Sequence, residues 1–208
     1  MDTTPRSGCA INAAVEVLGD PWAMLVLRDI MFGNRRYFRE LVAGSEEGIA
    51  TNILASRLKQ LVGAGLLTRD DAPRGQRVAY SLTETGIQVL PIIVAFGNWG
   101  LAHRTGERRL RVRAELLRDG GPELVGAMID ELRELHLGIP RPSPDAPRAS
   151  DQMRAAYEAA VLDKNDQRGC RELTDLELIV RTRPSTRISR PDRLLKHDSA
   201  GRSPAACP

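Results

Sequence analysis

The fold is decided by residues 35–83, which read RRYFRELVAGSEEGIATNILASRLKQLVGAGLLTRDDAPRGQRVAYSLT. This stretch holds two short amphipathic helices, a glycine-marked stop, and two extended segments joined by a basic turn. A helix, a turn, a second helix and a β-hairpin in this order are typical of a winged helix-turn-helix, whose second helix enters a DNA major groove. The stretch therefore predicts a mainly α-helical domain with a small β-wing that binds DNA.

The second helix, predicted from Ile49 to about Ala64, has one apolar face and one polar face. Its apolar residues recur at helical spacing and are Ile53, Leu54, Leu58, Leu61 and Val62. The opposite arc carries Thr51, Asn52, Ser56 and Lys59. Small and polar side chains suit a helix lying deep in a major groove, where Asn and Lys meet base edges or phosphates. An ordinary core helix with a solvated face has the same pattern, so the neighbouring elements are needed to distinguish it from a DNA-recognition helix.

The first helix of the stretch is predicted to run from Arg35 to Val42, with Asn34 as its N-cap. Arg35, Arg36 and Arg39 lie near its start. Arginines in this position suit the phosphates that flank a groove, although cations at a helix N-terminus oppose the helix dipole. We therefore count Arg35 and Arg36 among the candidate DNA-binding residues.

The hairpin after the second helix is predicted to form the wing. Leu66–Asp70 and Val78–Leu82 are expected to be antiparallel strands. The turn between them reads DAPRGQR and presents Arg74 and Arg77 outward. An arginine-rich turn is by itself weak evidence for DNA binding, but here it follows a helix with a suitable polar arc.

The segment CAINAAVEVLGDPWAMLVLRDIMFGNRRYFREL, followed by GIATNILASRLKQLVGAGLLTR and VAYSLTETG, resembles the HxlR-type branch of the MarR-like winged-helix regulators. The resemblance covers roughly residues 9 to 103, and several separate motifs occur in the family's order. It implies a homodimeric bacterial transcription factor with one winged helix per subunit. It also implies that Arg57, Lys59 and Arg77 are DNA-facing or helix-anchoring residues.

The chain departs from the family's pattern at two positions. Asp20, in the turn Gly19-Asp20-Pro21-Trp22, stands where the family usually has a basic residue, so no phosphate contact is expected there. Ala50 stands where many members have a serine that caps the second helix. We expect Thr51 to cap the helix instead, with the helix starting one residue later.

Two strongly apolar helices flank the predicted DNA-binding stretch. Trp22–Met31 is apolar almost all round and is expected at the centre of the domain, with Arg28 and Asp29 on an exposed turn. Glu84–His103 is a long apolar helix in which Pro91 and Gly97 predict a kink or break. In the resembled family the N-terminal and C-terminal helices form the dimer interface, and the apolar pattern of Glu84–His103 fits that role.

The sequence divides into four parts. Residues 1–105 form the DNA-binding and dimerisation domain, and residues 106–138 form a helical extension with helices at 107–118 and 122–138. Residues 139–150 (IPRPSPDAPRAS) are a proline-rich linker. Residues 151–208 begin with a short helix and continue as a basic, arginine-rich tail that is predicted to be disordered. The fold class is thus a winged helix-turn-helix with extra C-terminal helices.

Composition agrees with a nucleic-acid partner. The net charge is only +3, but thirty residues are Lys or Arg, and the pI is about 9.0. We expect neither a charged-then-apolar signal segment nor an apolar run that approaches the roughly 20 residues needed to span a bilayer, so the cytoplasm is the expected location. The chain has no Ser/His/acid grouping and no phosphate-binding glycine loop. We expect neither an enzyme nor a bound cofactor or metal.

Cys9 is the candidate for chemical sensing. The three cysteines at 9, 170 and 207 are too widely spaced for a disulfide framework or a metal site. Cys9 begins the first helix, where HxlR-like proteins often carry a cysteine and some of them sense oxidants or electrophiles. A helix N-terminus favours the reactive thiolate, whereas many free cysteines are simply small buried apolar residues. Sensing and inert packing are both open at this point.

The function predicted from these residues is a sequence-specific regulator, a dimeric repressor that reads an inverted repeat in double-stranded DNA. The alternative is a winged-helix protein-interaction module without specific DNA binding. The concentration of basic residues on the predicted DNA-facing elements favours the first.

Overall fold

A computed structural model describes residues 6–71, 73 and 76–163. The elements before the wing are α1 (Ala10–Leu18), α2 (Pro21–Gly33), α3 (Phe38–Ala43) and α4 (Thr51–Gly63). The wing and its neighbours are β1 (Leu67–Arg69), β2 (Tyr80–Leu82), α5 (Glu84–Ile87) and α6 (Leu90–His103). The C-terminal part contains α7 (Arg108–Asp119), α8 (Gly121–Leu137) and a further helix over residues 149–163, here α9. The predicted fold class is confirmed.

The core is built around α2, as its apolar sequence predicts. Its residues Ala23, Leu27 and Ile30 are fully buried. From the other side α4 contributes its apolar face, which consists of Leu54, Leu58 and Leu61. The helical spacing of these leucines places them on one face, so the polar arc of α4 is left on the outside.

The connection from α2 to α3 differs from the prediction. Asn34 ends α2 in the left-handed conformation (φ 47°) and is its C-cap, so the prediction of an N-cap for the next helix is wrong. Helix α3 begins only at Phe38, after Tyr37 in extended conformation. Arg35 and Arg36 therefore precede α3 instead of forming its first turn.

The wing is an antiparallel pair in which Leu67 lies opposite Leu82. Both strands are shorter than predicted, with three residues each. A single bridge between Tyr37 and Ala79 extends the sheet on its other edge, and the amide of Tyr80 donates to the carbonyl of Arg36 at 2.8 Å. The segment before α3 is thereby tied to the wing.

The predicted helix over 84–103 consists of two helices. The break lies at residues 88–89, and Pro91 sits in the first turn of α6, where its missing N–H costs nothing. By length and composition the segment Glu84–His103 could cross a membrane, and so could α1 and α2 taken together as a pair bent by 75°. The expectation that no apolar run reaches this length is wrong. Core helices meet the same criteria, and α6 packs on α2, α7 and α8.

The C-terminal helices pack on the same core. Leu117, Met128 and Leu132 are buried in it, as is Met153 of α9. All the described residues fall in one compact unit, so the proline-rich segment 139–150 does not separate α9 from the preceding helices. The predicted basic tail from residue 164 onward lies outside the described residues.

A buried carboxylate fixes the N-terminus of α9. Glu131 of α8, which is only 5% exposed, accepts hydrogen bonds from the amides of Ala149 and Ser150. A negative charge at a helix N-terminus satisfies amides that have no partner within the helix. Because of this contact, α9 begins at residue 149, two residues earlier than predicted.

Candidate DNA-binding surface

The polar arc of α4 is exposed and makes almost no side-chain contacts with the other described residues. Thr51, Asn52, Ser56 and Lys59 are all solvent-exposed. Among the described residues, no side-chain hydrogen bond or ion pair is made by Thr51, Asn52 or Lys59, and Ser56 accepts only a long 3.4 Å contact from Arg57. These donors and acceptors are therefore available to an external partner.

The start of α4 carries no side-chain cap. Ala50 is the N-cap and Thr51 the first helical residue, so the expectation that Thr51 caps the helix is wrong. The preceding turn is ordered instead by Ser45, whose hydroxyl accepts from the amide of Ile49 at 3.1 Å, and by Gly48 at φ 69°. A glycine tolerates this positive φ without strain.

Arg57 anchors α4 to the start of α2. Its Nε donates to the carboxylate of Asp20 at 2.7 Å, and the same oxygen accepts from the amide of Ala23 at 2.9 Å. The Arg57 guanidinium holds the pKa of Asp20 below its ordinary value. Of the two roles that the resemblance implied, the contacts of Arg57 match the helix-anchoring one, and Asp20 is the acidic partner that makes it.

Arg35 and Arg36 are used inside the chain. Arg35 pairs with Asp29 at 3.3 Å and donates to the carbonyl of Gly44 at 2.5 Å. Arg36 donates to the hydroxyl of Ser81 and to the carbonyl of Tyr80. Both arginines are half-buried. Arg35 holds the turn that follows α3, and Arg36 holds strand β2 of the wing, so neither presents a free charge to a phosphate.

Other arginines line an open cleft between α3 and the wing. Its walls include Arg39, Arg69 and Arg77, together with Tyr37, Tyr80 and one acidic residue, Glu40. Arg77 lies 5.8 Å above the Tyr37 ring, and among the described residues none of the three arginines has a carboxylate partner. Sequence reasoning did not select Arg69, because a single arginine in a short strand gives no periodic signal. Arg74 of the wing tip lies outside the described residues.

The ion pair between the half-buried Arg28 and the buried Asp29 is another contact that the sequence does not predict. Asp29 is 8% exposed and binds both Arg28, at 2.8 Å, and Arg35. Arg28 reaches on to Glu47 at 2.6 Å. The expectation that these residues lie on an exposed turn is wrong, because Glu47 of the turn between α3 and α4 and Arg35 of the connection between α2 and α3 pack against α2.

Cys9 is an exposed free thiol at the N-cap position of α1. Arg6, the cation nearest to it in sequence, binds Glu16 at 2.8 Å. No group of three or more potential metal ligands occurs among the described residues. Cys170 and Cys207 lie beyond them.

These features together define a winged helix-turn-helix protein in which α4, the second helix of the helix-turn-helix, is the exposed recognition helix. The HxlR-like helix-turn-helix family matches residues 17–108. An uncharacterized HTH-type transcriptional regulator of Synechocystis sp. is 38% identical over 93 residues, which are 44% of this chain and 67% of that protein. A counterpart of Mycobacterium tuberculosis is 37% identical over 94 residues, covering 45% of this chain and 58% of that protein.

A solved structure from Porphyromonas gingivalis, assigned to the MarR family of transcriptional regulators, is 31% identical. The match covers 48% of this chain and 97% of that one, with a TM-score of 0.41. The chain belongs to the HxlR-like helix-turn-helix family of transcriptional regulators. The family match ends at residue 108, and α8 and α9 lie beyond it.

Proposed function

We propose that this protein is a cytoplasmic transcriptional regulator that binds an inverted repeat in double-stranded DNA as a homodimer. The observation that carries the proposal is the exposed polar arc of α4, whose Asn52 and Lys59 side chains have no partner among the described residues. A solvated face on a core helix has no need for a neighbouring cleft whose arginines have no carboxylate partner among the described residues. The two surfaces adjoin the same helix-turn-helix and wing.

The proposed roles follow from the chemistry of each side chain. Asn52 and Ser56, with Thr51 beside them, meet base edges in the major groove, since an amide can pair bidentately with adenine. Lys59 and Arg77 neutralise phosphates, together with Arg74 at the wing tip. Arg57 acts through Asp20 by fixing the orientation of α4. Arg35 and Arg36 hold the turn and the wing in place.

Dimerisation is proposed through the apolar helices that flank the DNA-binding elements. Ile11 of α1 is 75% exposed, and Phe96 and Trp99 of α6 are 62% and 54% exposed. Large apolar side chains exposed in this number are typical of surfaces that a partner covers. A two-fold dimer would place its recognition helices about 34 Å apart, one turn of DNA, which explains an inverted repeat as the target.

An oxidant or electrophile is the proposed effector, with Cys9 as its target. The support is the exposure of the thiol at the beginning of α1, one of the proposed dimer helices. Modification there would alter the contact between subunits, and with it the spacing of the recognition helices.

The test combines two variants of α4 with a charge control. Lys59→Ala is expected to reduce the salt dependence of binding by about one counterion, because it removes one phosphate contact. Asn52→Ala is expected to cost about 1–3 kcal/mol on the selected sequence and little on random DNA. Arg118→Ala removes an exposed charge from α7 and serves as the control.

A protein-interaction module would give a different result. Binding to random and selected DNA would be equally weak, and neither α4 variant would change the ratio between them. That outcome would refute the proposed site and favour the alternative of a winged helix that binds only protein.

A further inference from the structure

The C-terminal extension, α7 to α9, contacts the turn that precedes the recognition helix. Arg109 of α7 donates to both carboxylate oxygens of Glu46, at 3.0 and 3.2 Å, and to the hydroxyl of Tyr157 in α9 at 3.2 Å. The guanidinium holds the pKa of Glu46 below its ordinary value. Arg109 lies just beyond the segment that matches the family, which ends at residue 108. We refer to Arg109, Glu46 and Tyr157 as the turn contact.

Glu46 lies in the turn that sets the direction of α4. The neighbouring Glu47 is held from the opposite side by Arg28 of α2, at 2.6 and 2.9 Å. The family's own domain holds the turn through Arg28 and also through Arg35, which donates to the carbonyl of Gly44 at 2.5 Å. The extension supplies a second attachment, through Arg109. The second attachment is bidentate, a geometry in which a guanidinium fixes the orientation of a carboxylate as well as its distance.

The extension contacts the wing as well. The amide of Leu82 in β2 donates to Nδ1 of His136 in α8 at 3.3 Å. Arg133 of the same helix binds Glu84, directly after the wing, at 2.6 and 3.0 Å. Residues outside the family's shared segment therefore touch the turn that precedes the recognition helix and a strand of the wing.

We propose that Arg109 and Tyr157 are positioning residues, through which the extension holds the recognition helix in the orientation that DNA binding requires. The proposal rests on the proposed DNA-binding function. Neither residue touches DNA, and both act through Glu46. The extension is then part of the DNA-binding machinery, and a shortened chain with only the family's segment would bind more weakly.

The size of the effect follows from the exposure of the pair. The side chains of Arg109 and Glu46 are 23% and 39% exposed, so solvent screens their attraction. If the contact is lost, the turn samples further orientations. The affinity for DNA then decreases in proportion to the fraction of molecules whose turn keeps the orientation that binds DNA. An ion pair of this exposure supports a loss of about fivefold at most.

The experiment uses the full chain with Arg109→Gln and Tyr157→Phe, and with Arg118→Gln as the matched control. Arg118 is on the same helix and pairs with Asp119 at 2.8 Å, away from the turn, so its loss changes the net charge equally. The first readout is affinity for the duplex that the wild type selects from a random-sequence library. The second is hydrogen exchange in free protein at the amides of Gly48 and Ile49, which are bonded within the turn.

Arg109→Gln is expected to lose up to about fivefold in affinity relative to Arg118→Gln and to exchange faster at both amides. Tyr157→Phe, which keeps the ring beneath Arg113, is expected to show a smaller change in the same direction. If Arg109→Gln does not fold, Arg109→Lys keeps the charge but not the bidentate geometry and takes its place. Affinity and exchange equal to those of Arg118→Gln would overturn the proposal.

Failure of the proposed function is distinguishable from failure of this inference. If the wild type selects no sequence from the library, the DNA-binding proposal fails whatever the variants do. Hydrogen exchange in the free protein then still decides whether the extension holds the turn. Unchanged exchange at Gly48 and Ile49 in Arg109→Gln would exclude that role on its own.

Discussion

The carboxylate of Asp20 is predicted to perform two separable tasks. One of its oxygens accepts from the amide of Ala23 and caps α2, and the same oxygen accepts from Arg57 and fixes α4. Asp20→Asn keeps a good N-cap but loses the ion pair, whereas Asp20→Ala loses both. The pair of substitutions therefore separates helix capping from the contact between the two helices.

The magnitudes can be worked from the geometry. Both side chains of the pair are 24% exposed, and an ion pair with this partial burial and a 2.7 Å hydrogen bond contributes about 1 kcal/mol. Loss of an N-cap costs about 1 kcal/mol. We expect Asp20→Asn to lower the free energy of unfolding by about 1 kcal/mol and Asp20→Ala by about 2 kcal/mol. Arg57→Gln should cost about as much as Asp20→Asn.

Urea unfolding of the two single variants and the double variant Asp20→Asn/Arg57→Gln measures the coupling, which is expected to be about 1 kcal/mol. Because Arg57 lowers the pKa of Asp20, this contribution is present above the ordinary pKa of a carboxyl group and is lost on acidification. A coupling near zero, or equal costs for Asn and Ala, would refute the reasoning. A drop of about one in the salt dependence of DNA binding by Arg57→Gln would show that Arg57 contacts phosphate after all.

Three further predictions concern the rest of the chain. Burial, and to a smaller extent the nearby charge of Arg36, lowers the pKa of His136 to about 4. The free energy of unfolding is therefore highest above the ordinary histidine pKa of 6.5 and decreases as the pH drops toward 4. The loss is roughly 2 kcal/mol after allowance for solvent, and unfolding of His136→Asn should be less sensitive to pH in this range. Phe96→Lys places a charge on the proposed dimer surface, so sedimentation should detect monomers, and an unchanged dimer would exclude α6 from the interface. Cys9→Ser is expected to abolish the response of DNA binding to diamide, and a response equal to that of the wild type would remove Cys9 as the sensor.

Periodicity predicted the parts of the fold that are set by burial. The leucines of α4 and the apolar sequence of α2 report directly which face is covered, and the structure buries Leu54, Leu58 and Leu27 as expected. The order of helices and strands in the winged helix-turn-helix followed from the same patterns. Hydrophobic spacing carries this information because burial of apolar surface dominates the folding free energy.

The partners of the arginines could not be predicted in the same way. Arg36 contacts Ser81, which is 45 residues away in sequence, and Arg57 contacts Asp20 at a separation of 37 residues. The sequence alone does not distinguish an arginine that anchors a helix from an arginine that is free to bind a phosphate. Asn34 was misassigned for a related reason, because an asparagine between two helices serves as an N-cap of one or a left-handed C-cap of the other.

The composition of the C-terminal part did not predict that α9 packs against the preceding helices. The proline-rich segment 139–150 has the composition of a linker, yet Glu131 and the buried Ala149 attach its end to α8. The sequence of an amphipathic helix does not show which amides a single buried carboxylate such as Glu131 will bind.

The most direct test of DNA recognition is the affinity of the purified wild-type protein for its selected sequence and for random DNA at physiological salt. The polar arc of α4 predicts binding to the selected duplex at least about a thousandfold tighter, with protection of two half-sites about one helical turn apart. Equal affinity for both duplexes would contradict the account.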